Sequence, residues 1–277
     1  MLKRFSFTLT PSESKRLIGK GVASLPEVKN ALSNGKIIII GGSTNGYVAE
    51  EILQKKIDRQ YFAAGMIKSR GTCLTKVDER IPPIVIEQGN QIEMKYADAL
   101  NELKSEDVVI KGANALYSTF ENGEYTWYPA IMTAHPVGGT VGALIGPVRA
   151  RGANLIMPVG LEKLIPLPIM QLAALDLGIK KIDYPLGLHY GIMPVVGAKV
   201  ITEIEACQEL FDLDLPVFPV GAGGVNGAEG AITLVVEGNE EKIKNALELI
   251  KSIKGEPSTQ LNATECKGCT VPCLNAE

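Results

Sequence analysis

Apolar residues in this chain collect into short unbroken runs separated by helical stripes. Ile37-Ile38-Ile39-Ile40 is the clearest run, four β-branched residues with the texture of a strand buried on both faces. Val48, Ala49, Ile52, Leu53 and Ile57 then recur at helical spacing, so a helix leaves the intervening Gly41-Gly42-Ser43-Thr44-Asn45-Gly46 loop. Ahead of this unit, Thr10-Pro11-Ser12-Glu13 is a helix start: N-cap Thr, Pro at the first helical position and Glu at the third. Helices are predicted from there to about residue 32, broken between Gly19 and Pro26 and ended by Asn34-Gly35.

Further strands are expected in 61–75, 84–87, 107–111, 154–158, 195–204, 215–220 and 231–237. Short helices are predicted at 96–103, 170–177 and 206–211. A longer one follows Asn239, with early Glu240 and Glu241 and a stripe of Ile243, Leu247, Ile250 and Ile253. Residues 118–128 around Glu121-Asn122-Gly123 carry a hairpin signature. The Gly-rich stretch 137–150 reads as a loop opening a helix.

Strands alternating with helices predict a layered α/β fold, a mostly parallel sheet with helices on both faces. The expected division is an α/β core over 1–194, a small αβ subdomain over 195–256 and a Cys-containing tail over 257–277.

Charge narrows the partners. A net charge of −3 provides no broad basic face for nucleic acid or an anionic membrane. No apolar run has the length of a membrane span or the form of a signal peptide. Five cysteines, three of them crowded at Cys266, Cys269 and Cys273, fit a reducing compartment better than a disulfide framework. The expectation is a cytoplasmic protein that self-associates as a homo-oligomer.

Four segments in order carry a resemblance: Ile40-Gly41-Gly42-Ser43-Thr44, then Val109-Ile110-Lys111-Gly112-Ala113-Asn114-Ala115, then Val137-Gly138-Gly139-Thr140-Val141-Gly142, then Leu155-Ile156-Met157-Pro158 running on to Lys163. Together they resemble the superfamily of ribose-phosphate isomerases, glucosamine-phosphate deaminases, CoA transferases and lactate-utilisation-type domains. The resemblance covers roughly residues 12–165. It implies that the first loop, Gly41 to Gly46, binds an anionic group, with Lys111, Gly112 and Asn114 at the second motif and Gly139 and Thr140 at the third.

The departures matter as much. The isomerases carry carboxylates at the second motif, where this chain has Lys111, Asn114 and Ala115, and from Tyr125 to Leu161 it has no Asp or Glu. Proton transfer in aldose–ketose isomerisation needs a positioned acid or base. Binding a phosphorylated, carboxylated or CoA-linked metabolite, with acyl or CoA transfer as its chemistry if it is an enzyme, therefore fits better than isomerisation.

Arg149, Arg151 and Lys163 are further candidates to clamp an anion, the arginines by bidentate bonding. Glu121 in Phe-Glu-Asn-Gly is similar to the acyl-accepting Glu of some CoA transferases, although Asn-Gly is first of all a hairpin turn. His135, beside the glycine loop, and His189 are candidate acids, bases or ligands. Gly221 to Gly230 lacks dinucleotide-loop spacing and is expected to connect two strands over a ligand.

Cys266-x-x-Cys269-x-x-x-Cys273 has the spacing to wrap a zinc ion or one face of an iron–sulfur cluster, with Cys73, Cys207 or an outside group as fourth ligand. An alternative function follows from that tail, a metal- or cluster-bearing accessory protein. A metabolite sensor that turns nothing over is a third.

Overall fold

The computed structural model describes residues 2–211, 217–266, 269 and 273. Its first half runs β1 (Lys3–Leu9), α1 (Pro11–Ser24), α2 (Pro26–Asn34), β2 (Lys36–Ile39), α3 (Ser43–Leu53), β3 (Gly65–Lys68), β4 (Gly71–Leu74), β5 (Ile84–Glu87), β6 (Asn90–Ile92), α4 (Tyr96–Asn101) and β7 (Val108–Ile110). A hairpin follows, β8 (Ala115–Glu121) and β9 (Glu124–Thr133), then α5 (Gly139–Arg151), β10 (Asn154–Pro158), α6 (Ile169–Ala173) and β11 (Gly191–Pro194). The last part is β12 (Lys199–Ile201), α7 (Glu203–Phe211), β13 (Phe218–Gly223), β14 (Ala231–Gly238) and α8 (Glu240–Ile253).

The central sheet has six strands in the order β12-β10-β7-β2-β5-β6. Its first four run parallel, while β5 and β6 are antiparallel. The other strands form an antiparallel sheet β1-β14-β13, a second one β11-β9-β8, and the hairpin β3-β4. The expected mostly parallel, layered sheet is therefore corrected to a mixed α/β fold with one mixed sheet and several antiparallel ones. The apolar texture of 84–87 is the same for either strand direction, which is why the pattern missed it.

Alternation along the central strands builds two cores. Ile37, Ile39, Val108, Ile110 and Ile156 face one side, where Val48, Ala49 and Ile52 of α3 and Leu17 and Ile18 of α1 cover them. Ile38, Ile40, Val109, Leu155 and Met157 face the other, beneath Val141, Leu144 and Val148 of α5. Each such side chain, fully withdrawn from water, contributes on the order of 2 kcal/mol.

Local signals act where they were expected. Thr10 completes its capping box with Glu13, Leu25 separates α1 from α2, and Asn239 accepts the Lys242 N–H at 2.9 Å to start α8. Asn122 and Gly123 both have positive φ at the tip of the β8–β9 hairpin, the backbone a tight two-residue turn demands.

Other boundaries moved. Of the strand predicted over 195–204, only Lys199–Ile201 pairs. Glu205 accepts the Thr202 N–H at 2.8 Å, and α7 begins at Glu203. The strand expected at 215–220 begins outside the described residues, and its described part is β13. Residues 195–256, expected as a subdomain, send β12 to the central sheet and pair β14 with N-terminal β1 over seven residue pairs. Among the described residues no helix is long and apolar enough to cross a membrane.

Candidate functional site

The parallel strands end along one edge of the central sheet, and the polar chemistry of the molecule gathers there. The chain leaves β2 for α3 on one face, whereas the connection from β7 reaches α5 on the other. β2 and β7 thus flank a topological switch point, the crevice position at which open α/β sheets bind ligands, with the Ile40 N–H still bonded to Ile110 O at 3.0 Å.

Asn45, fully buried in the first turn of α3, spans that gap. Its Nδ2 donates to Ile40 O at 2.7 Å and reaches Ile110 O at 3.4 Å, which fixes the amide orientation. Among the described residues, buried Asn45 Oδ1 and Thr44 Oγ1 have no hydrogen-bond partner. A buried polar atom in that condition costs about 1–3 kcal/mol, so two together at one helix start ask for a function.

Glycines of the crevice are not there to relieve crowding. A Cβ at Gly41, Gly42 or Gly112 would make only ordinary contacts, the nearest at 3.5–3.6 Å. At Gly112 those neighbours are Pro158 O and Asn45 Oδ1, which places the second motif beside the first. Gly21 shows the contrast: a Cβ there would stand 2.7 Å from Ala206, where α1 packs on α7.

Two lysines complete the edge. Lys111 follows β7 directly, and Lys163 ends the short 3₁₀ turn Leu161–Lys163 after β10. Both are half-buried. Lys163 Nζ donates to Ala113 O at 2.9 Å, and Lys111 Nζ reaches Gly112 O at 3.5 Å. Among the described residues neither is hydrogen-bonded to a carboxylate. Burial, then the nearby Lys163 charge, pushes Lys111 down to about 8. Burial also brings Lys163 to about 8, against the partial support of Glu162 and Glu203. Uncompensated ammonium groups at strand ends attract an anion.

Glu203, unseen in the sequence reading, lies at the end of β12 beneath the same turn. Its Oε2 accepts the Leu161 N–H at 2.9 Å, while Oε1 has no partner and lies 3.4 Å from where a Cβ on Gly160 would be. Burial raises its carboxyl to about 7. No motif marks it, because it stands some forty residues beyond the Asp- and Glu-free stretch that ends at Leu161. Lys15 of α1, paired with Glu162 at 3.4 Å, is the second residue missed. Beside this turn a cleft of about 420 Å³ is lined by Leu161, Glu162, Leu164 and the β13–β14 hairpin, including Gly221 and Gly230. The Gly-rich connection thus borders the edge, with Lys111 and Lys163 outside the cleft's lining.

The remaining candidates lie elsewhere or are engaged. Asn114 is exposed, and its Oδ1 accepts the Met132 N–H at 3.0 Å, tying β7 to β9. Gly139 and Thr140 begin α5, at the crevice end of the sheet but on its opposite face. His135 is exposed and accepts the Val137 N–H at 3.3 Å through Nδ1.

Arg149 and Arg151 occupy the far end of α5, where they bond the carbonyls of Val196 and Leu103 at the opposite edge of the sheet. They do not join the crevice. Glu121 is exposed at the hairpin tip, opposite Glu124. His189 has a buried Nδ1 without a partner, in a segment whose Leu188 N–H bonds Thr72 O.

Comparison with protein-family models, curated proteins and solved structures finds no match. The isomerase/transferase resemblance therefore rests on the four motifs, and function has to be argued from the crevice.

Proposed function

We propose that the chain binds a small anionic metabolite, phosphorylated, carboxylated or CoA-linked, in the crevice at the ends of β2, β7 and β10. The observation that carries this reading is the pair Lys111 and Lys163, two half-buried ammonium groups without a hydrogen-bonded carboxylate, beside the unpartnered Thr44 Oγ1 and Asn45 Oδ1. The Thr44 hydroxyl donates to an anionic oxygen, and Asn45 Oδ1 accepts from a ligand hydroxyl. The α3 N-terminus adds backbone N–H groups and the positive end of its dipole.

Glu203 is a positioning residue in this scheme. It fixes the Gly160–Lys163 turn through the Leu161 N–H and lends Lys163 part of a counter-charge. It is closed from solvent, so its carboxyl does not replace the isomerase acid or base. Acyl or CoA transfer remains the chemistry that fits a site of lysines and hydroxyls.

A thermal-shift series with inorganic phosphate, citrate, a sugar phosphate and acetyl-CoA tests the reading, because binding raises stability with the logarithm of ligand over Kd. The expected result is stabilisation by at least one of these anions that is lost in Lys111→Met/Lys163→Met. Equal shifts in the wild type and the double variant would refute it. Turnover assays on the stabilising anion then separate an enzyme from a sensor.

A further inference from the structure

After α8 the chain doubles back across the molecule. The Tyr47 hydroxyl reaches Pro257 O at 3.4 Å, and the Asn262 N–H bonds Gln60 O at 3.0 Å. The segment then runs antiparallel to the end of β4: Lys76 N–H to Asn262 O at 3.3 Å, a bridge between Thr75 and Ala263, and Thr264 N–H to Leu74 O at 3.0 Å. Two more residues in that direction bring Cys266 alongside Thr72 and Cys73. Cys266 Sγ lies 3.8 Å from the Arg70 guanidinium, and the Cys269 N–H bonds Cys266 O at 3.0 Å.

Cys73 and Cys266 thereby share one corner, and Cys73, Cys266, Cys269 and Cys273 are all half-buried free thiols. Cys207 is elsewhere, fully buried in the apolar core on α7. This removes it as a fourth ligand and leaves Cys73.

Cys73 and Cys266 beside Arg70, with Cys269 hydrogen-bonded to Cys266, suit a tetrahedral thiolate site, since ligation requires deprotonation and a neighbouring cation favours it. Among the described residues no three His, Cys, Asp or Glu side chains are placed to hold a metal ion, so binding would have to draw Cys269 and Cys273 toward Cys73 and Cys266.

We propose that Cys73 joins Cys266, Cys269 and Cys273 in a four-thiolate centre for a thiophilic metal, either a zinc ion or an iron–sulfur cluster. The centre ties the tail to the β3–β4 hairpin. It is independent of the anion crevice and stands or falls separately.

The test is metal analysis and an absorption spectrum of the full chain purified without oxygen, followed by cobalt(II) titration of the reduced protein. Stoichiometric zinc with intense tetrahedral-thiolate cobalt bands supports an ion, and iron with sulfide and visible charge-transfer absorption supports a cluster. Cys73→Ser should weaken binding beyond the roughly 10- to 100-fold that loss of an outer-shell partner costs, while Cys207→Ser should bind as the wild type does. If Cys73→Ser disturbs β4, Cys269→Ser must reproduce the loss. Failure of the reduced wild type to take up zinc, cobalt or reconstituted iron and sulfide would overturn the proposal. So would full binding by Cys73→Ser, or a native Cys73–Cys266 disulfide in its place.

Discussion

Arg16 and Arg59, between α1 and α3, and Lys111 and Lys163, at the sheet edge, are both drawn out of water, yet only the arginines are given carboxylates. Arg16 bonds Glu51 at 2.8 Å and Glu256 at 3.0 Å and also reaches Glu50. Arg59 bonds Glu256 at 2.9 Å. Both guanidinium groups lie over the Tyr47 ring, Arg16 at 4.9 Å and Arg59 at 3.9 Å from its centroid. Burial works against these charges, but the bonds prevail: Glu50 and Glu256 are held below the usual carboxylate range and Arg16 above its own. At the lysines burial prevails, and the ammonium groups sit at about 8. A satisfied buried network joins elements of the fold. An unsatisfied one costs stability that a ligand can return.

The comparison breaks first at Arg16. Arg16→Met should strand Glu50 and Glu256 and lower stability by roughly 3–5 kcal/mol in urea melts, with or without phosphate. A loss under about 1 kcal/mol would mean the network is ornamental.

Lys111→Met should have the opposite sign. At pH 7 without added anion it removes a strained cation and should stabilise by about 1–3 kcal/mol, allowing for its partial exposure. Destabilisation would show that the lysine is compensated after all. The same depressed lysines set a pH window. Between about 8, their folded value, and the ordinary lysine value near 10.5 the unfolded chain holds more protons, so their contribution to stability rises with pH there. Phosphate affinity should fall as pH climbs through 8, read by calorimetry at pH 7 and 9.

Glu203 works in the other direction. Its folded value near 7 lies above the ordinary carboxylate value of 4.5, so the native state holds the extra proton between them and loses stability as pH rises across that window. Glu203→Gln should therefore be more stable than the wild type at pH 8 by up to ~3 kcal/mol and no more stable at pH 4. Equal melting differences at both pH values would rule out an uncompensated carboxyl.

The smallest expected effect is at Gly112. Gly112→Ala should change stability by less than about 1 kcal/mol, because its Cβ meets only ordinary contacts, yet it should weaken anion binding by narrowing the crevice. Gly21→Ala, pressed against Ala206, should destabilise without touching binding.

What the sequence disclosed follows from how local each signal is. The Ile37–Ile40 strand, the Thr10 and Asn239 caps and the Asn122-Gly123 turn are written within a few residues, and each is found in place. Strand direction and partner are not local. The pairing of Lys3–Leu9 is invisible locally because its partner lies in 232–238. The crevice was half legible: Thr44, Asn45, Lys111 and Lys163 stand on motifs. Glu203 and Lys15 reach the edge through a strand and a helix outside them. Arg149 and Arg151 share the motif's helix but occupy its far end, a distinction that needs the helix length and direction.

The pairing of β1 with β14 also sets a clock. During synthesis the partners of Lys3 to Leu9, Ile232 to Gly238, are made more than two hundred residues after it. At 5–20 residues per second that is a wait of roughly ten to fifty seconds with an alternating, unpaired edge exposed. Through that interval the chain depends on whatever shields nascent strands from one another.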